Sequence, residues 1–160
     1  MILVTVGMQL GFDRLISAMD QLAPGLGMPV IAQTGQGTYT PHNMEARAKI
    51  APAEFEQLVQ QCKVIVSHAG IGTVLTAARF VKPIILVPRR AGLQEHRNDH
   101  QLATVRKLDG RPGILVAHDE TELPDRIAAA LALPHWNAAQ SPTAQQLHHA
   151  LECFIEGGAA

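Results

Sequence analysis

Two short stretches of this chain carry the residue types that chemistry needs. The first is Ser67-His-Ala-Gly-Ile-Gly-Thr73. Gly70 and Gly72 let the backbone come close to a ligand. A helix starting at the end of the turn would aim its free N–H groups and positive dipole end at the same place. Ala69 and Thr73 flank the approach, and Thr73 adds a hydroxyl. Such a turn holds a phosphate, although a plain tight turn uses the same residues. The spacing is neither G-x-G-x-x-G nor a P-loop, since no Lys follows. The second stretch is Glu95-His-Arg-Asn-Asp-His-Gln101. Its carboxylates, amides and imidazoles give and take hydrogen bonds in fixed directions, which suits a hydroxyl-rich ligand such as a sugar. A solvated helix start would carry similar residues.

Other constellations fail on spacing. His96 and His100 are four apart, but the order differs from H-E-x-x-H and no third ligand is evident, so no metal is expected. Ser67, His68 and Asp99 do not read as a hydrolase triad. Neighbouring side chains at a strand end point to opposite faces, and the G-x-S-x-G elbow is absent. His68 reads as a backbone-locking residue, a phosphate-side residue, or simply a satisfied histidine. Arg89, Arg90 and Arg97 suit phosphate or carboxylate at a ligand mouth, or belong to a solvated loop. His42, His118, His135, His148 and His149 form no readable group.

The elements that must position these stretches follow from apolar runs and breakers. Strands are expected at Ile2–Val6, Met28–Thr34, Ala46–Ile50 (weakly), Val64–Ser67, Ile84–Val87 and Ile114–Ala117. Helices are expected at Phe12–Leu22, Ala53–Gln61, Val74–Phe80, Glu95–Leu108 and Glu122–Leu133, with Pro124 marking the true start of the last. Phe12, Leu15, Ile16, Met19 and Leu22 share one face of the first helix. Strands alternating with helices predict an α/β fold, a doubly wound Rossmann-like parallel sheet of about six strands. A ligand would then sit outside the carboxyl ends of the strands. The loops there are Gly7–Gly11, Thr34–Gly37, Ser67–Thr73, Arg89–Gln101 and His118–Asp119. Residues 1–133 are expected to form this domain. Residues 134–160 read as a linker with the only tryptophan, Trp136, and a helix over Thr143–Ile155. Leu147, Ala150, Leu151, Phe154 and Ile155 share one face of that helix, which packs on its own sheet or docks a partner chain.

Composition narrows the function classes. The chain has 160 residues, 47% hydrophobic and 17% charged, the profile of one globular domain. A net charge of −1 gives no global field for nucleic acid or anionic lipid. Aromatic residues, at 4%, are too few for base stacking. Cys62 and Cys153 form no C-x-x-C and read as reduced core thiols. Met1–Val6 reads as a first strand rather than a signal peptide, and no run reaches the roughly 18 apolar residues of a membrane span.

Three segments together carry a resemblance: Ser67-His-Ala-Gly-x-Gly-Thr73, Lys82-Pro-Ile-Ile-Leu-Val-Pro88 and Glu95-His-x-Asn-Asp-His-Gln101. With Val4-Thr-Val-Gly7, Phe12-Asp13-x-Leu-Ile16 and Gln33-Thr-Gly35, they resemble the C-terminal domain of family 28 glycosyltransferases over residues 1 to about 130. The short, split members are the most similar. They include bacterial exopolysaccharide and capsule subunits and the catalytic subunit of the two-part dolichol-linked N-acetylglucosamine transferase. The resemblance implies the donor half of a GT-B enzyme that uses a UDP-sugar, inverts the anomeric centre and needs no cofactor or metal. It implies a cytoplasmic protein, peripheral to the membrane through an acceptor-binding partner that also supplies the general base. Gly7, Ala69, Gly70, Gly72, Thr73 and Arg89 would hold the diphosphate. Gln33, Gly35, His68 and Thr76 would line the nucleotide cleft. Asp99, His100 and Gln101 would face the sugar, with Glu95 beside them or orienting that loop. Thr76 stands where the family usually has a ribose-gripping Glu. The arginines would suit an acidic sugar such as glucuronic acid, with glucose, galactose and N-acetylglucosamine open. The competing reading is a non-catalytic nucleotide-sugar-binding regulatory subunit. A dinucleotide enzyme or epimerase is disfavoured because Gly7-Met-Gln-Leu-Gly11 is not G-x-G-x-x-G.

Overall fold

The structure, a computed structural model, describes residues 1–133. Six strands form one sheet: β1 (Ile2–Thr5), β2 (Val30–Gln33), β3 (Glu45–Arg47), β4 (Val64–His68), β5 (Ile84–Val87) and β6 (Ile114–Val116). All pair in parallel, in the order β3-β2-β1-β4-β5-β6. Five helices connect or follow them: α1 (Asp13–Leu22), α2 (Pro52–Gln61), α3 (Ile71–Arg79), α4 (His100–Leu108) and α5 (Leu123–Ala132).

The period of two along a strand sorts the core into two layers. Ile2, Val4, Val64 and Val66 face Leu15, Ile16 and Met19 of α1 and Ile127 and Ala130 of α5. Leu3, Ile65 and Leu86 face the opposite layer, with Leu58 and Val59 of α2, Val74 and Ala77 of α3, and Val105 and Leu108 of α4. β1 is buried along its whole length, as a central strand covered on both faces must be. The expected doubly wound fold is therefore present, with helices on both faces.

Strand order reverses between β1 and β4. The chain leaves β1 for β2 on one side and leaves β4 for β5 on the other, so their outgoing loops diverge and leave a crevice at their carboxyl ends. Register brings Thr5 level with both Gln33 and Ser67, which sets the floor of that crevice.

Several boundaries differ from the sequence expectation. β3 is only Glu45–Arg47, at the sheet edge and mostly exposed, whereas a strand was expected over 46–50. β4 continues through His68. The helix expected from Glu95 begins at His100. Residues 91–93 form a 3-10 turn and Gln94 takes a left-handed φ of +57°; the residues after it stay non-helical because Glu95 and Asp99 bond back to the Arg90 and Ala91 N–H groups. No helix joins β2 to β3. That connection is held instead by Asp20 of α1, a buried carboxylate that accepts hydrogen bonds from the N–H groups of His42 (3.0 Å) and Asn43 (2.7 Å) and from the Tyr39 hydroxyl (3.0 Å). Cys62 is buried in the α2 layer as a free thiol. No helix among the described residues is long and apolar enough to cross a membrane. The linker with Trp136, the helix expected over Thr143–Ile155 and Cys153 lie outside the described residues.

Candidate nucleotide-sugar site

The crevice floor is built from β1, β2 and β4. The Thr5 hydroxyl donates to Gln33 Oε1 (2.9 Å) and accepts from the Gly7 N–H (3.3 Å). Gln33 is buried, so its carbonyl braces the floor from within. The loops above pack backbone on backbone. Gly35, at φ +61°, lies against the carbonyls of Gly7 and Leu10, and a Cβ on Gly11 would come 2.5 Å from the Gly37 Cα. Asp13 at the start of α1 completes this rim by accepting from the N–H (3.0 Å) and hydroxyl (2.5 Å) of Thr38.

His68 is a wedge between the two diverging loops. A Cβ on Gly7 would lie 3.1 Å from its Cε1, and one on Gly70 would overlap its Nε2. Gly7 also has φ +77°, so two constraints select glycine there. Burial, then the nearby Arg89 cation, pushes the His68 pKa down to about 4, against the pull of a hydrogen bond with the Thr5 backbone. The ring is neutral near pH 7. Ser67 Oγ lies 3.4 Å from His68 Nδ1, so these two side chains approach each other rather than diverging to opposite faces. Ser67 is nonetheless fully buried, with no route to a substrate.

α3 opens directly above this wedge. Gly70 is its extended N-terminal cap, and the Val74 N–H is the first to bond back to the Gly70 carbonyl (3.3 Å). No side chain caps the helix, so the first-turn N–H groups of Ile71, Gly72 and Thr73 have no partner of the usual kind. A Cβ placed on Gly72 would meet nothing within 4 Å. Gly70 thus makes room for His68, while Gly72 faces open space. Thr76 hydrogen-bonds its own helix, donating to the Gly72 carbonyl at 2.9 Å.

The β5–α4 loop forms the other wall, and here the side chains differ most from expectation. Arg89, expected at the diphosphate, is 2% exposed and turned inward. Its Nη1 donates to the carbonyls of Gly11 (2.6 Å) and Glu95 (3.2 Å), and its Nη2 to those of Val6 (2.8 Å) and Leu10 (3.0 Å). All four terminal N–H groups are engaged, leaving none for a phosphate. Glu95, expected at the sugar, is held by Arg14 through both oxygens (2.7 and 2.9 Å) and by the Arg90 N–H (2.9 Å). It orients the loop, the other role expected of it. Gln101 is 4% exposed, and its Oε1 accepts from the Arg89 N–H at 3.0 Å. Asp99 accepts from the Ala91 N–H (2.8 Å) and stays exposed. His100, also exposed, bonds Asn98 Oδ1 and meets the His96 ring edge-on, with centroids 4.4 Å apart. His96 Nδ1 is buried without a hydrogen-bond partner. Arg90 reaches the His118 carbonyl (2.8 Å), which ties in the β6 loop. No group of three or more His, Cys, Asp or Glu suited to a metal occurs among the described residues.

Sequence reasoning gave no role to Arg14 and Asp20, and named Asp13 only within the Phe12-Asp13-x-Leu-Ile16 segment. Their only signal is position: Arg14 and Asp20 each sit beside a buried residue of the stripe, Leu15 and Met19. Arg14 also bonds Glu120 (2.7 Å) and the Pro88 carbonyl (3.1 Å), so it joins three loops.

A comparison with protein families places residues 1–152 on the glycosyltransferase family 28 C-terminal domain. The chain belongs to that family. No curated protein matches it in sequence. Among solved structures, the family 28 domain described here is similar to spinosyn forosaminyltransferase SpnP (18% identity, TM-score 0.60, 96% of this chain and 43% of that one). It is also similar to the glycosyltransferase VinC in complex with DTDP (19%, 0.55, 94% and 37%) and to MurG of Acinetobacter baumannii (18%, 0.54, 96% and 49%). At these identities the likeness is one of fold. This family 28 chain spans less than half the length of those structures. It has the Rossmann-like fold expected of a glycosyltransferase family 28 C-terminal domain.

Proposed function

We propose that this chain is the donor-binding, catalytic subunit of an inverting glycosyltransferase in polysaccharide or lipid-linked saccharide synthesis. It would take a UDP-sugar and work with a separate, membrane-associated subunit that holds the acceptor and the general base. The observation that carries this reading is the uncapped N-terminus of α3 at the strand-order reversal, with open space above Gly72. Three N–H groups and a helix dipole converge there without a competing side chain, which is what a diphosphate requires.

The chemistry follows from that placement. An acceptor hydroxyl attacks the anomeric carbon, and the bond from that carbon to the diphosphate oxygen breaks. The electron pair leaves with the nucleoside diphosphate, and the acceptor proton passes to the partner's base. The N–H groups of Ile71, Gly72 and Thr73, with the Thr73 hydroxyl, stabilise the departing charge. Asp99 and His100, exposed on the second wall, face the sugar hydroxyls. With Thr76 bonded to its own helix, ribose contact falls to backbone or water at the Thr34–Gly35 loop. With Arg89 buried and Arg90 bonded to His118, the case for an acidic sugar rests on Arg97 alone. The separate, membrane-associated partner rests on the resemblance to split family members, with the helix expected over 143–155 as the candidate dock.

Thermal stabilisation tests the donor reading. VinC, a structural neighbour, was solved with DTDP, so nucleoside diphosphates are the first probes. UDP at one hundred times its Kd should add about 2.7 kcal/mol, or roughly 5–10 °C in Tm. No shift with any nucleoside diphosphate would overturn the reading. Co-expression with the partner should then give transfer to a lipid-linked acceptor. His100→Ala should abolish transfer while complex formation survives. UDP-sugar binding without transfer by the assembled pair would favour the regulatory alternative.

A further inference from the structure

Arg89 combines features that a surface loop arginine lacks. It is among the largest fully buried side chains, and no carboxylate is hydrogen-bonded to it among the described residues. Its four terminal N–H groups meet four backbone carbonyls, and its guanidinium lies 4.9 Å from the Phe12 ring centre. Arg14 lies 5.1 Å from that same ring. Three of the four carbonyls, those of Val6, Leu10 and Gly11, belong to the β1–α1 loop. The fourth, from Glu95, belongs to the β5–α4 loop. The Arg89 main chain is meanwhile fixed by Gln101 at the start of α4.

We infer that Arg89 is a positioning residue whose guanidinium ties the β1–α1 loop to the β5–α4 loop and so fixes the separation of two walls of the ligand crevice. This rests on the donor-site reading above. The physical need is specific to arginine. A planar fork supplies several donors in fixed directions, whereas an ammonium supplies three from one point and cannot span four carbonyls on two loops. Withdrawing the fork leaves buried carbonyls unpaired, and those loops must open to reach water. Gly7, at the mouth of the first loop, would then lose its fixed distance from His68, and the Asp99–His100 segment its fixed distance from α3.

The test compares the 160-residue chain with Arg89→Lys, and with Arg106→Ala as an exposed control. Amide hydrogen exchange in residues 7–11 and 90–97 should rise at least tenfold in Arg89→Lys, with β1, β4 and β5 unchanged. The Kd for UDP should rise about tenfold. Arg106→Ala should move neither quantity. Unchanged exchange in either loop would overturn the proposal, as would loosened loops with an unchanged Kd. Should the wild type fail to bind UDP, the donor reading falls, and the exchange data alone decide the positioning role. Should Arg89→Lys fail to fold, the wild type provides the answer by nitrogen-edited NMR. A guanidinium held by four carbonyls gives separate, slowly exchanging Nη–H signals, and one averaged signal would refute the tie.

Discussion

Gly72→Ala separates the ligand site from the fold more cleanly than any other single change. Gly72 lies in the first turn of α3 without a positive φ, and a Cβ there meets nothing within 4 Å. Replacing glycine by alanine at a compatible helical position stabilises by about 0.4–1 kcal/mol, largely through the unfolded chain. For a chain of this size that is an increase in Tm of roughly 1–4 °C. The same methyl occupies the space through which a diphosphate reaches the helix N–H groups. The Kd for UDP should therefore rise at least tenfold, a loss of about 1.4 kcal/mol. Gly70→Ala should behave in the opposite way. Its Cβ overlaps the His68 ring, which Gly7 confines on the other side, and overpacking of this kind costs about 1–3 kcal/mol. Differential scanning calorimetry gives the stabilities and isothermal titration with UDP the affinities. A Gly72→Ala chain that is more stable and binds UDP as tightly as the wild type would refute the placement of the diphosphate at α3.

Three further outcomes follow from the buried polar groups. His68 has its pKa pushed from 6.5 to about 4, so the folded chain resists protonation that the unfolded chain accepts. Its contribution is complete above pH 6.5 and is lost as the pH falls toward 4, by up to roughly 3 kcal/mol. Urea melts between pH 7 and 4 should show that slope in the wild type and a flatter one in His68→Asn. For Asp20, burial raises the pKa, but hydrogen bonds from Asn43, His42 and Tyr39 outweigh it and leave a net lowering from 3.8. That stability is present above pH 3.8 and is lost below it. Asp20→Asn turns one acceptor into a donor facing N–H groups and should cost about 1–3 kcal/mol at pH 7, with faster amide exchange over residues 39–43. Glu95→Gln removes the charge that Arg14 grips and should destabilise by about 1–3 kcal/mol. A double-mutant cycle with Arg14→Gln should recover most of that as coupling energy.

The sheet was legible because its strands are near-continuous aliphatic runs punctuated by Gly and Pro, and only the edge strand β3, made of Glu45-Ala-Arg47, escaped that rule. The candidate site could be read as two stretches, but the packing of each residue within them could not. Gly70 and Gly72 look alike in sequence, yet one accommodates a ring from β4 and the other faces open space. Which side a glycine serves depends on a neighbour's rotamer, and no local pattern encodes that. Arg89 misled for a related reason. An arginine after a buried strand is usually solvated or ligand-bound, and what draws this one inward is a set of carbonyls about 80 residues away in sequence. Glu95 likewise read as a helix start because its partner, Arg14, is 81 residues distant. The helix boundary and the placement of Arg89 thus depend on one long-range network.

That network has a consequence for the order in which the molecule is assembled. The carbonyls on residues 6, 10 and 11 wait for a guanidinium 78 to 83 positions later in the chain. Closing loops of that length is entropically slow compared with forming α1 or pairing β1 with β2. The pairing of β1 with β4 spans a similar separation, 62 positions between Ile2 and Val64, so sheet and rim close over comparable lengths of chain. The crevice takes shape only when β5 docks and carries Arg89 into place. Ligand competence on this reading needs the fifth strand as well as the first, although the two are not neighbours in the sheet.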